Sequence, residues 1–237
     1  MNFIKYLLLF LTIFFLKNSF SQSFSKKINI KAGLYFSQGI RGLHSTEQLN
    51  AHLTGNNFPG IKKSLTLTEA GIGVWINRWY LLAIQKEFTL AKNKTPDFNS
   101  SGNGTGFELD FAYSVVHTEK LKLFPFVGIG TQSQIIHLDP VSVASFDNQL
   151  TNPDFKNSIR IKLEDEQIGV IGLGLNYRLT GLFKETCSLQ FTGQIDYLFS
   201  GGGTWSINDQ LVQNPEADFR GLEGKLGLIL LFNLMDK

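Results

Sequence analysis

The sequence predicts an all-β protein, an eight-stranded antiparallel up-and-down transmembrane β-barrel with short periplasmic turns and four long extracellular loops. Three observations support this prediction. Apolar and polar residues alternate along segments of about a dozen residues, which is the period of a strand with two different faces. Eight such segments are found, and a tilted strand needs about 9–11 residues to cross a bilayer. The connections between them alternate long and short, as in single-chain membrane barrels.

The composition fits one β-domain and argues against nucleic acid as a partner. Of the 237 residues, 18% are charged, below the typical share of about a quarter, and the formal net charge is +2. No basic run or arginine cluster is present. Cys187 is the single cysteine, so no intramolecular disulfide can form.

The N-terminus has the pattern of a secretory signal. Lys5 precedes an apolar run over residues 6–16, and Ser19-Phe20-Ser21 supplies small residues for cleavage. The run is much shorter than the roughly 20 residues of a spanning helix. We therefore predict a signal peptide over 1–21 and a membrane-barrel domain over 22–237. A secreted chain without an apolar helix can span a membrane only as a closed barrel.

The strands are assigned from their alternation. We predict them near 28–36, 65–76, 79–91, 107–115, 121–135, 171–178, 187–199 and 222–234. The long connections are predicted at 40–64, 92–104, 139–164 and 200–220. The clearest strand runs from Cys187 to Phe199, where odd positions are apolar or small and even positions up to Asp196 are polar.

For two strands the sequence shows less clearly which face points outward. In the third, the even positions from Tyr80 to Leu90 form the apolar set and are expected to face outward. Lys86 interrupts that set, which is tolerable only if the strand register shifts or if its amine reaches the headgroup region. In the fifth, both parities carry apolar residues, and the odd set is predicted to face lipid.

Polar residues on the opposite faces predict an ion-pair network inside the barrel. An eight-stranded barrel has a lumen just wide enough for side chains, so charges there must be paired. Glu108 and Asp110 lie two residues apart, as a general acid/base pair would, but ion pairing is the favoured interpretation. The predicted interior charge network is Lys31, Glu69, Glu87, Glu108, Asp110, Lys122, Arg178, Asp196, Glu223 and Lys225.

No pattern in the sequence predicts a cofactor, a metal or a catalytic site. Three G-x-G pairs lack the third glycine and the helix of a dinucleotide fingerprint. The histidines, His44, His52, His117 and His137, show no tight metal-ligand spacing. His44-Ser45 alone does not make a hydrolase, because a catalytic Ser and His need a third, orienting group.

The alternating strands, the FPFVGIG stretch at 124–130 and the apolar GLILLFNL at 227–234 give the chain a family resemblance. It resembles small outer-membrane β-barrels of Gram-negative bacteria, loosely the PorT-like and eight-stranded OmpA/OmpX-like groups, over about 28–234. The resemblance implies an outer-membrane location and a part in protein secretion. Such barrels often end on an aromatic residue, whereas Phe232 is followed here by Asn-Leu-Met-Asp-Lys.

The predicted function is that of a non-enzymatic outer-membrane barrel with a structural or loop-mediated binding role. Its expected partners are outer-membrane lipid and, through the loops, envelope or secretion proteins. Two alternatives stay open. One is a lipid-modifying outer-membrane enzyme, and the other is a soluble periplasmic lipocalin-like barrel whose apolar faces point inward to bind an apolar ligand.

Overall fold

The computed structural model describes residues 29–44, 46–141, 158–182, 186–212 and 219–236. The predicted signal peptide lies outside these residues. The described chain contains eleven strands and one helix. The strands are β1 Asn29–Leu43, β2 Ser64–Ile76, β3 Trp79–Lys94, β4 Phe98–Tyr113, β5 Val116–His117, β6 Leu121–Pro140, β7 Ile159–Leu182, β8 Cys187–Ser200, β9 Thr204–Ile207, β10 Gln210–Leu211 and β11 Gly221–Asp236. The helix, α1, covers Glu47–Gly55.

Eight of these strands close into a barrel. They pair antiparallel in the order β1-β2-β3-β4-β6-β7-β8-β11, and β11 pairs back with β1 from Asn29↔Asp236 to Leu43↔Gly221. Closure leaves no unpaired edge among these eight strands, which is the condition for strands to cross lipid. The predicted eight-stranded up-and-down barrel is therefore confirmed. No helix in the described part of the chain is long and apolar enough to cross a membrane.

The outer wall of the barrel carries a belt of exposed apolar side chains. Leu226 is 62% exposed on this wall, whereas Asp196 and Glu108 are buried inside. Exposed apolar area of this extent, wrapped around a closed barrel, is the surface that lipid covers. A soluble barrel with its apolar strand faces turned inward does not fit this surface. The belt includes Leu34, Phe36, Ile72, Val74, Leu81, Phe107, Leu109, Phe111, Leu123, Val127, Ile129, Leu173, Leu175, Phe191, Ile195, Phe199, Leu222, Leu226, Leu228 and Phe232.

The strands continue well beyond the belt at the long-loop end. β6 has 20 residues and β7 has 24, about twice the length needed to cross a bilayer. The segment predicted as a connection at 92–104 is mostly strand, because β3 runs to Lys94 and β4 begins at Phe98. In these extensions the outer face is mostly polar and the inward positions include apolar residues such as Leu138 and Leu163, so the apolar-outward alternation that marks a lipid-crossing strand is lost there.

The orientation predicted for β3 is wrong. Ile76 and Trp79 are directly opposite each other across the two-residue turn Asn77-Arg78, in which Asn77 has a φ of 55°. Residues paired across such a turn share a face, so the outward Ile76 turns the odd residues of β3 outward and the even ones inward. Lys86 therefore points into the lumen, and Glu87 lies exposed on the outer wall.

The odd-numbered residues of β6 face outward, as predicted. Val127 and Ile129 are exposed, while Phe124 and Phe126 are buried in the lumen. Pro125 lies beside the end of the β4–β6 ladder, whose last pair is Ala112↔Phe126. A proline is tolerated where a ladder ends, because its missing N–H leaves no bond unmade there.

Two apolar clusters close the lumen, one at each end. The loop-end cluster packs α1, through Leu49 and Leu53, against Trp205, Phe219 and inward residues of the barrel strands. The turn-end cluster contains Tyr35, Trp75, Tyr80, Phe124, Phe126 and their apolar neighbours. Along β3, Lys86 lies between Ile84 of the turn-end cluster and Phe88 of the loop-end cluster. The charged layer is thus enclosed between apolar layers.

Inward glycines make room for the rings of the turn-end cluster. A Cβ added at Gly174 would overlap the ring of Phe124, while one at Gly193, on the outer wall, would only touch the Leu226 side chain at 3.5 Å. We expect Gly174→Ala to lower the free energy of unfolding by about 1–3 kcal/mol, because the buried ring cannot move freely. Gly193→Ala should change it by less than about 0.5 kcal/mol. Urea unfolding of the refolded chain measures both, and equal effects would contradict this packing.

Candidate functional site

Lys86 is the central cation of a buried ion network. Its Nζ lies 2.6 Å from Glu108 Oε2, 3.3 Å from Glu69 Oε1 and 3.4 Å from Glu223 Oε2. All four side chains are fully buried. Three carboxylates around one ammonium supply the pairing that buried charge requires.

Lys225 and Arg41 extend the same network. Lys225 Nζ lies 2.9 Å from Asp196 Oδ2, 3.2 Å from Glu223 Oε2 and 3.3 Å from Glu69 Oε1. Arg41 donates from Nε to Glu223 Oε1 at 2.6 Å and from Nη1 to Gln132 Oε1 at 3.0 Å. Glu223 is therefore shared by all three cations. We call this group the lumen ion network: Arg41, Glu69, Lys86, Glu108, Asp196, Glu223 and Lys225.

Neutral polar groups surround the lumen ion network. Ser37 Oγ donates to Glu69 Oε2 at 2.7 Å, and Tyr35 Oη lies 3.0 Å from the same oxygen. On the opposite wall, Glu166 accepts hydrogen bonds of 2.5 Å from Gln132 Nε2 and from Ser200 Oγ. These bonds hold the carboxylates in fixed positions.

The structure brings together only part of the predicted interior network. Glu69, Glu108, Asp196, Glu223 and Lys225 belong to the lumen ion network. Asp110 is buried next to Glu108 on the inner face of β4, where Gly128 leaves space for its carboxylate.

The other predicted members lie elsewhere. Placing Glu87 in the interior was wrong, since the parity of β3 puts it on the outer wall. Lys31, Lys122 and Arg178 do face inward, but at the short-turn mouth, where none of them joins the lumen ion network.

Sequence reasoning missed four polar lumen residues. Lys86 was noticed only as an interruption of an apolar set, although the two-residue turn before β3 was a sufficient signal for its inward position. Arg41 lay within a predicted loop, yet it continues the inward series of Tyr35 and Ser37. Gln132 and Glu166 lie beyond the apolar belt, where the strand alternation is weak.

The geometry leaves little room for a ligand in the lumen. A void lined by Asp110 and Asn176 has a volume of about 20 Å³, enough for one water. Asp110 Oδ1 and Asn176 Oδ1 have no hydrogen-bond partner among the described residues, so they are suitable partners for such a water. In the described ranges no three or more His, Cys, Asp or Glu side chains are arranged so that they could hold a metal ion, and the carboxylates of the lumen ion network surround lysine and arginine instead.

A larger space lies outside the bilayer. A cleft of about 490 Å³ lies at the junction between α1 and the extended parts of β6, β7 and β9. Its wall is mostly apolar, and the polar side chains on it are His52 and Asn56 of the helix segment. We call this space the loop-end cleft. It is lined by Leu49, His52, Leu53, Asn56, Phe58, Leu138, Ile159, Ile161, Trp205, Ile207 and Val212.

Comparison with known proteins finds similarity in fold. No protein-family model matches the chain, and no curated protein sequence matches it. Among solved structures, the chain is similar to a major outer membrane protein from Thermus thermophilus, with a TM-score of 0.49 and 11% identity over 86% of this chain and 99% of that one.

Two further solved structures are similar in fold. One is Ail, the attachment invasion locus protein of Yersinia pestis (TM-score 0.40, 10% identity, 88% of this chain and 98% of that one). The other is Neisserial surface protein A (TM-score 0.39, 12% identity, 87% and 97%).

A closed barrel with a lipid-facing belt is the architecture of bacterial outer-membrane proteins. The chain accordingly has the fold and the lipid-facing surface of an outer-membrane β-barrel, as predicted.

Proposed function

We propose that this chain is a non-enzymatic outer-membrane barrel that binds through its long-loop end. The observation that carries the proposal is the contrast between the barrel lumen and the loop-end cleft. The lumen is filled by two apolar clusters and an ion network, and the loop-end cleft outside the bilayer is open. A filled lumen offers no path for transport, and its carboxylates lie out of reach of a substrate.

The chemistry of the loop-end cleft fits a small apolar molecule. Its volume lies within the roughly 300–1,000 Å³ of small-molecule sites, and its wall is apolar with few polar groups. Asn56 donates its Nδ2 hydrogen to the carbonyl of His52 at 2.8 Å, so this polar rim is held in place. Trp205 and Phe58 supply aromatic surface against which an apolar ligand can pack.

The test compares two substitutions in the β9–β10 hairpin. Ile207 lines the cleft and is 39% exposed, while Leu211 is 77% exposed and does not line it. We expect benzene to cause saturable shifts of the Leu49 and Leu53 methyl resonances in the full chain in lipid nanodiscs. Ile207→Asp should abolish the shifts because it places a charge in an apolar site, and Leu211→Asp should preserve them. The cleft would be rejected as a binding site if the methyl shifts of the parent did not saturate with benzene, or if Ile207→Asp and Leu211→Asp reduced them equally.

The non-enzymatic part of the proposal is tested separately. Glu108 and Asp110, the carboxylates two residues apart, are buried beside Lys86 and the turn-end cluster. We expect the lipid A mass spectrum of a deletion strain to match that of the parent strain. If the deletion changes the lipid A spectrum, and expression of the chain from a plasmid returns it to that of the parent strain, a lipid-modifying enzyme is favoured instead.

A part in protein secretion, which the family resemblance implies, leads to a further test. A secretion partner would contact the long-loop end or the short-turn end, because lipid covers the belt between them. We expect the culture supernatant of a deletion strain to lose specific proteins, and solubilised membranes to yield a partner that co-purifies with the chain. Unchanged supernatants would limit the function to binding at the cleft.

A further inference from the structure

Four cations meet at the short-turn mouth, on the side of the barrel away from the loop-end cleft. Lys122 lies opposite Asn176 in the β6–β7 pair. Arg178 follows two residues later in β7, partly buried between the exposed Tyr177 and Leu179 and opposite Gln190 of β8. Lys31 lies opposite Trp75 at the start of β1, and Arg78 forms part of the turn between β2 and β3. We call this group the turn-end cation cluster: Lys31, Arg78, Lys122 and Arg178.

The backbone that carries the cluster is held in place by hydrogen bonds. Ser114 N donates to the carbonyl of Arg78 at 2.8 Å, and Arg178 N donates to the carbonyl of Lys120 at 2.7 Å. The Nζ of Lys122 lies 5.8 Å from the ring centroid of Tyr80. The ring face stabilises the ammonium but does not neutralise it.

Three members of the cluster lack the anions that the lumen ion network has. Among the described side chains, no carboxylate lies within ion-pair distance of Arg78, Lys122 or Arg178, and Glu119 in the adjacent turn is exposed. Lys122 is only 8% exposed, so water screens its charge poorly. A buried cation without an anion is costly, and a bound anion would remove that cost.

His117 reports the positive potential at this mouth. It is the cross-strand partner of Lys122 in the short β5–β6 pair, and cross-strand partners share a face. Burial, followed by the charges of Lys122, Arg78 and Lys31, lowers the pKa of His117 to about 4. Burial is the larger cause of this shift, and the three cations add to it because they disfavour a further positive charge beside them.

We propose that the turn-end cation cluster binds a phosphate-class oxyanion, either free phosphate or the headgroup of an anionic lipid in the adjacent leaflet. Guanidinium groups bind phosphate oxygens in pairs, and an ammonium adds a point charge. The side chains of Lys31, Arg78 and Arg178 are only partly buried, so the site is open to a ligand from outside the barrel. This site is independent of the binding proposed at the loop-end cleft.

The first experiment uses inorganic phosphate as the probe. The full chain is placed in nanodiscs of phosphatidylcholine, and phosphate is titrated at constant ionic strength while the imidazole resonances of His117 are followed by NMR. We expect a saturable shift and a rise in the pKa of His117, because a bound anion offsets the neighbouring cations. Chloride at equal ionic strength should produce neither change.

Matched variants test which residues form the site. Lys122→Gln and Arg178→Gln should each weaken phosphate binding roughly ten-fold or more, since each removes a charged hydrogen-bond donor. Lys92→Gln removes the same charge from an exposed position at the opposite end and should leave binding unchanged. Heat-modifiable gel mobility shows whether each variant is folded. Should Lys122→Gln fail to fold, the less buried Arg178→Gln decides the test.

The second experiment separates the two sources of phosphate. Phosphatidylglycerol replaces part of the phosphatidylcholine, and no free phosphate is added. A shift of His117 under these conditions, with no further effect of phosphate, identifies the lipid headgroup as the ligand. A shift with free phosphate alone identifies the soluble ion. No saturable shift in either arm, or equal weakening by Lys92→Gln and Lys122→Gln, would overturn the proposal.

Discussion

Replacing Lys86 with Met is expected to lower the free energy of unfolding of the barrel by about 3–5 kcal/mol. The variant keeps a side chain of similar length but leaves Glu69, Glu108 and Glu223 without the ammonium that lies 2.6–3.4 Å from them. Removing one partner of a buried network costs more than the network contributes, because the remaining charges stay buried. Urea unfolding in lipid, followed by tryptophan fluorescence, measures the loss.

The same substitution at Lys92 is the control. Lys92 lies on the same strand but is exposed beyond the belt. Lys92→Met should change the free energy of unfolding by less than about 0.5 kcal/mol. If Lys86→Met proved as stable as the parent, Lys86 would not be the central cation, and the corrected orientation of β3 would fail with it.

Replacing Ile195 with Arg is expected to lower the free energy of unfolding of the barrel by about 2–4 kcal/mol. Ile195 lies in the middle of the outward series of β8, between Gly193 and Tyr197, and is 63% exposed. Lipid is what faces this side chain, so a guanidinium there must be transferred into the hydrocarbon region or bend towards the headgroups. Unfolding in bilayers, rather than in detergent alone, is the measurement that detects this cost.

Thr89→Arg is the matched control for the lipid contact. Thr89 also lies on the outer wall, but it is opposite Thr66 and Asn103 in a polar part of the sheet beyond the belt. We expect Thr89→Arg to leave the free energy of unfolding nearly unchanged. If Ile195→Arg and Thr89→Arg lowered the free energy of unfolding equally, the apolar belt would be covered by something other than lipid.

The sequence was sufficient for the number of barrel strands, for their antiparallel order and for the outward face of seven of them, but not for the short strands β5, β9 and β10. Strands such as β8 cross the bilayer with lipid on one side and a polar lumen on the other, and this difference produces a strict alternation. The exception was β3, in which Tyr80, Leu82 and Ile84 are apolar and point inward. Apolar clusters fill this part of the lumen, so hydrophobicity alone does not distinguish the inside of β3 from its lipid face.

Alternation correctly predicts the face of the charged residues in the other seven predicted strands but not of Lys86 and Glu87 in β3, and only the tertiary structure decided the depth and the partners of all of them. Lys31, Lys122 and Arg178 have the same inward parity as Lys225, yet the first three lie at the short-turn mouth and Lys225 lies in the lumen ion network. The register between neighbouring strands sets this depth, and a register arises from pairing over the whole closed sheet. The loop-end cleft also depends on tertiary contacts, because it forms where α1 packs against the extended strands.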